Sequence, residues 1–326
     1  MRWLTYQKAP LWPGPGELFC FRPSRVNFVN MIRKTCILYL LLFPFLSCEK
    51  NITIKLDPTP TNLVVDASIE NGKYPVVSLS NSLSYFSILD PHELTASFVH
   101  NARVLMSNGQ IKAQLQEYSA TDDSSGLLIY YYTLTDSYSG PKFKGAFNTG
   151  YSLEIQVADQ VYTATTTIPG LNKIIDSLWW VPAPLEADSP LVVIKAKVTD
   201  PPGLGNYTRY YTQLNKGPFY PGLNSVFDDQ ITDGTTYTVT VDRGVNRNAP
   251  IDVNTYSFFN RGDSVTVKLA NIDKATFDFW RTMEYNYQSI GNPFSTPTVV
   301  LSNISNGALG YFGGYAAQYV PLKIPQ

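Results

Sequence analysis

The feature that most limits what this chain can become is a succession of short runs rich in Val, Ile, Thr and Tyr, interrupted at close intervals by Gly, Asn, Asp and Pro. Runs of that composition suit pleated, half-buried strands, and the interruptions suit turns. Residues 63–69 alternate, Asn71-Gly72 offers a turn that accepts positive φ, and residues 76–80 return, which predicts a hairpin. Further strands are expected at 102–106, ahead of Ser107-Asn108-Gly109, at 127–134, and at 152–157 and 161–168 across a tight Ala158-Asp159-Gln160 turn. The spacing predicts an all-β protein whose residues 61–170 form an immunoglobulin-like β-sandwich, ending near Pro169-Gly170.

Residues 171–326 are expected to form a second β-rich domain. Its strands are placed at 174–180, 191–198, 207–214, 236–241 and 264–269, with the turn Pro201-Pro202-Gly203-Leu204-Gly205 between the second and third. One stretch departs from the two-residue period. Phe277, Trp280, Met283 and Tyr287 follow one another at three, three and four, which predicts an amphipathic helix over 272–288 with Asp273 as its N-cap.

The N-terminal part has a different character. From Met31, the basic pair Arg33-Lys34 precedes an apolar run over 35–46 and then Leu46-Ser47-Cys48. A short positive segment, a short apolar core and small residues before a cysteine predict a lipoprotein signal peptide over 31–47, with Cys48 as the lipidated residue. The run is shorter than the roughly 20 apolar residues that a bilayer-spanning helix needs. Phe45 stands where such signals usually carry leucine. Residues 1–30 carry no domain-like pattern and are expected to be an upstream start read too early, and residues 48–60 are expected to be a tether.

Six of the 25 basic residues but one of the 26 acidic ones lie within 1–47, so the remainder is acidic by six charges. No cluster of Lys and Arg is present, and nucleic acid is not expected as a partner. Cys20 and Cys36 fall in the same discarded segment, which leaves Cys48 as the one remaining thiol; no disulfide framework or thiolate metal site is expected.

The residues that could carry chemistry are few. His92 and His100 match no zinc spacing. Asp122-Asp123 and Asp228-Asp229 lack the spaced carboxylates of a calcium loop and are expected to be solvated. Arg261-Gly262-Asp263 reads as a turn before a strand. No catalytic residue, cofactor or metal site is assigned, and an enzyme is not expected. Trp179, Trp180, Tyr207, Tyr311 and Phe312 are the candidates for an aromatic surface that meets a ligand or partner. The glycines at 307, 310, 313 and 314 are expected to allow close backbone packing, since no helix follows to make a phosphate site.

Several of these segments occur together in one family. The cysteine with its short charged stretch, the 63–72 hairpin followed by Pro75-Val76-Val77-Ser78-Leu79, Asp200-Pro201-Pro202-Gly203 leading to Asn206-Tyr207, and the terminal block 302–315 resemble the Bacteroidetes lipoprotein family catalogued as domain of unknown function 4249. The resemblance implies an outer-membrane lipoprotein, periplasmic or surface-facing, accessory to a TonB-dependent receptor in nutrient uptake. It supplies no catalytic residues. A structural or adhesive surface protein and a hydrolase remain the alternatives, with the binding or accessory role favoured.

Overall fold

A computed structural model describes residues 61–83, 90–122, 126–184, 189–292, 294–296 and 298–326. The signal segment, Cys48, the tether and Asp123 lie outside the described residues. The all-β expectation holds: sixteen strands accompany two helices among the described residues.

The first hairpin forms as its pattern demands. In β1 (Leu63–Glu70), Leu63, Val65, Ala67 and Ile69 point into a core and are at most 6% exposed, while Asp66 and Glu70 take the other face. β2 (Val76–Asn81) pairs antiparallel with β1 across Asn71-Gly72, where Gly72 has φ +76°. A short helix, α1 (Pro91–Ala96), is capped by Asp90, whose carboxylate accepts from the Glu93 amide at 2.8 Å. There follow β3 (Arg103–Ser107), β4 (Lys112–Gln114), β5 (Gln116–Thr121), β6 (Leu128–Thr133), β7 (Thr149–Val157) and β8 (Gln160–Ile168). The β7–β8 turn is the tight one expected, with Ala158 at φ +50°.

The second half contributes β9 (Ile174–Pro182), β10 (Leu191–Thr199), β11 (Tyr207–Leu214), β12 (Phe219–Phe227), β13 (Thr236–Val241), β14 (Phe259–Asn260), β15 (Ser264–Ile272), α2 (Lys274–Ser289) and β16 (Leu309–Lys323). One sheet runs through both halves in the order β12-β11-β15-β16-β1-β2-β6-β5, and two four-stranded sheets, β4-β3-β7-β8 and β9-β10 with β13 and β14, accompany it. The boundary expected at 170 falls in the β8–β9 connection, but strands from both sides of it share the large sheet. The reason is β16, which pairs antiparallel with β15 and parallel with β1 and so joins the halves.

β16 also joins three cores. Phe312 and Ala316 enter the first, between the large sheet and β3, β7 and β8; Val320 and Leu322 pack on the second, with β10 and β15. Tyr311, Tyr315 and Ala317 on the opposite face lie in the third, under α2. The helix begins where expected: Asp273 accepts from the Thr276 amide at 2.9 Å, and from the Thr166 hydroxyl and Thr167 amide of β8 at 2.7 and 2.9 Å. Its buried face departs in one place. Met283 is 38% exposed, whereas Phe279 is buried and stacks on Tyr311 with ring centroids 4.5 Å apart.

Candidate functional site

The second core is not filled to its edge. Val265, Val267 and Leu269 of β15 alternate inward, as do Ile194, Ala196 and Val198 of β10, and these are all buried. Toward the sheet margins, β12 and β13 face each other without pairing, and a cleft of about 460 Å³ opens between them. Phe227 at the end of β12 and Val239 of β13 line it, yet they remain 48% and 37% exposed. Exposed apolar side chains turned between two layers are a feature of ligand clefts, and the volume falls in the usual range for small-molecule sites.

The mouth is held open by a bulge. β12 pairs with β11 at Pro221–Tyr211 and again at Val226–Arg209, so residues 222–225 bow out opposite Tyr210 alone. Gly222 in that bulge is required for space, since a Cβ there would lie 2.0 Å from the Tyr210 hydroxyl. The helix holds the bulge from behind. Glu284, 4% exposed, accepts from the Ser225 amide at 2.9 Å and pairs with Arg247 at 3.1 Å, and the Arg247 guanidinium donates to the Gly222 and Leu223 carbonyls at 3.2 Å each. Gln288 adds a hydrogen bond to the Leu223 carbonyl at 3.1 Å. The polar positions of α2 therefore brace the loop that shapes the cleft.

The closed end carries a neutralised pair. Lys173 and Asp200, each 2% exposed, meet at 2.7 Å, and Lys173 also donates to the Thr232 hydroxyl at 3.1 Å and lies 5.5 Å from the Tyr237 ring centroid. Burial alone would lower the lysine pKa; the Asp200 and Tyr237 contacts more than offset it and raise it. Nearer the mouth lie Asp242, Asp228 and Tyr210. The Asp242 carboxyl has no hydrogen-bond or ion-pair partner among the described residues, and burial pushes its pKa up. Tyr210 is raised by burial and then by the neighbouring Asp242 charge. A larger depression of about 690 Å³, where β3, β7 and β8 meet residues 302–305, is lined mainly by polar residues, Ser and Thr foremost, and lacks aromatic walls.

The five aromatic residues expected to form one surface do not come together. Trp179 is 37% exposed on β9, while Trp180 is half-buried against the second core with the Arg261 guanidinium 5.0 Å from its ring centroid. Tyr207 is half-buried beside Phe277 at 4.8 Å. Tyr311 is 6% exposed beneath α2, and Phe312 is fully buried in the first core. Neighbours in a strand must face opposite ways, and both faces of β16 are covered here. Tyr311 and Phe312 are core residues.

The other motifs resolve into structure. The Asp263 carboxylate accepts from the Asn260 amide at 2.8 Å and from the Asn215 side chain at 2.9 Å, which makes Arg261-Gly262-Asp263 a closed turn. His92 is exposed, and His100 Nδ1 lies 2.5 Å from Glu117. The pair Asp228-Asp229 is divided: Asp229 is buried and accepts from the Gly205 and Asn206 amides at 3.1 and 2.8 Å, while Asp228 faces the cleft. No local signal could have found the cleft, because its walls come from segments spread between Lys173 and Leu269.

The described residues form an all-β protein with a cleft of small-molecule size between the layers of its second half. A family model described as a domain of unknown function, DUF4249, matches residues 49–319, and the chain belongs to that family. No curated protein matches it.

Proposed function

We propose that this chain is a ligand-binding or accessory lipoprotein of the outer membrane, anchored through Cys48 and acting beside a TonB-dependent receptor, with the cleft between β12 and β13 as its ligand site. The observation that carries the binding role is the wet apolar lining, Phe227 and Val239 above all. The anchor is supported by the signal pattern before Cys48. The receptor is implied by the family resemblance.

A Cys48→Ala variant, expressed in the native host and fractionated in alkaline carbonate, should move from the membrane pellet to the supernatant. Firm retention of the variant in the pellet refutes the anchor. Cross-linking of the wild-type protein in native membranes should capture an outer-membrane receptor, and recovery of the protein with no such partner refutes the accessory role.

A further inference from the structure

We propose that the cleft selects a compound with an apolar body and a protonated amine, the amine seated between Asp242 and Asp228 at the mouth. The inference rests on reading the cleft as a ligand site and adds its chemical class. Both carboxylates line the cleft, and neither has a hydrogen-bond or ion-pair partner among the described residues. The one cation in the lining, Lys173, is already satisfied by Asp200 at 2.7 Å and buried behind Thr232. An anionic ligand would therefore meet uncompensated negative charge and no free counter-charge among the lining residues themselves. The walls point the same way: Tyr210 and Phe227 stack with centroids 6.1 Å apart, and their faces attract a cation that enters between the layers. A divalent metal fits poorly, because it demands about six or more oxygen ligands, no group of three or more His, Cys, Asp or Glu side chains comes together among the described residues, and the Asn224 and Thr232 side-chain oxygens in the lining already accept from Gln288 and Lys173.

The acids also sit where a small molecule can reach both tasks at once. Val239, Val241 and Asp242 all line the one cleft, so an alkyl or aryl group held against those valines can present a terminal nitrogen to the carboxylate. Leaving such a carboxylate unpaired in a half-buried place is unfavourable for folding, and an arriving ammonium removes that cost.

The test compares three probes of one length, n-octylamine, 1-octanol and octanoate, by titration calorimetry on the full chain at neutral pH. Octylamine should bind about tenfold more tightly than 1-octanol, with octanoate weakest. Asp242→Asn should lower octylamine affinity by about tenfold and leave 1-octanol unchanged; Asp228→Asn should act in the same direction. The unliganded melting temperature of each variant reports that it folds. Equal affinity for octylamine and 1-octanol, or no effect of both substitutions on octylamine, overturns the charge selection while the cleft remains a ligand site. Failure of all three probes to bind, with the same heats in a Val239→Trp variant that fills the mouth, overturns the cleft itself.

Discussion

Replacing Lys173 with methionine removes the charge that balances Asp200 at the closed end of the cleft while keeping most of the apolar stem. Asp200 is 2% exposed; after the change its Oδ2 would keep the Thr232 hydroxyl at 3.0 Å, and its Oδ1 has no partner to begin with. Breaking one side of a buried pair costs about 3 to 5 kcal/mol, because the surviving charge stays desolvated. At about 2 to 4 °C per kcal/mol for a chain of this size, the melting temperature should fall by roughly 6 to 20 °C. The double variant Lys173→Met/Asp200→Leu removes both charges and should regain most of the loss, since an apolar pair of similar volume is often as stable as the ions. Calorimetric melts of the wild type, both single variants and the double variant form the cycle. A fall of less than about 2 °C in Lys173→Met, or a double variant no more stable than that single one, would refute the reasoning. The sign with pH is also set. The folded lysine pKa lies above 10.5, so the stabilisation is complete below 10.5 and is lost as pH rises through the folded value.

Trp280→Ala removes a ring that lies 3.4 Å from the Arg209 guanidinium and donates its Nε1–H to Tyr315 at 3.0 Å; thermal melts should show a loss of about 3 to 5 kcal/mol, and an unchanged melting temperature would mean that the helix face is an interface and not a core. Asp242→Asn should raise stability at neutral pH. A carboxyl whose folded pKa is raised above 3.8 favours the folded state below 3.8 and loses that contribution as pH climbs through the folded value. The groups around it are Tyr210 on β11, Tyr256 before β14, Asp228 after β12 and the neutralised Lys173. Melts of the wild type and Asp242→Asn should therefore converge in acid and separate above it, with the variant higher; a variant less stable at neutral pH contradicts this.

The parts of the fold that could be read from sequence were those whose reasons are local. Asn71-Gly72 forms its turn, the strands alternate between core and outer face, and Asp273 caps α2 as its position before the apolar stripe suggests. β16 is the contrary case. Its glycines read as sites of close backbone packing and gave no strand signal, because glycine weakens an isolated strand, yet in the centre of a sheet covered on both faces they are what the space allows. A Cβ at Gly310 would lie 1.9 Å from the Val65 carbonyl oxygen, one at Gly313 would meet Thr276 of the helix at 2.9 Å, and one at Gly314 would meet the Thr167 carbonyl oxygen at 2.5 Å. Close packing was legible there, but the strand was not. The cleft was invisible for a different reason. Alternation in β13 shows that Tyr237, Val239 and Val241 share a face, but whether the opposing layer fills the space before them depends on strands far away in the chain.

The parallel pairing of β1 with β16 sets Val64 beside Leu309 and Glu70 beside Tyr315. A nascent or truncated chain that lacks 309–323 is therefore left with two bare strand edges, on β1 and on β15, in what should be the middle of its largest sheet. Such edges recruit other strands, and the long-range closure that removes them is slow. Until residues 309–323 pair with both β1 and β15, those two edges stay open to strands of other copies.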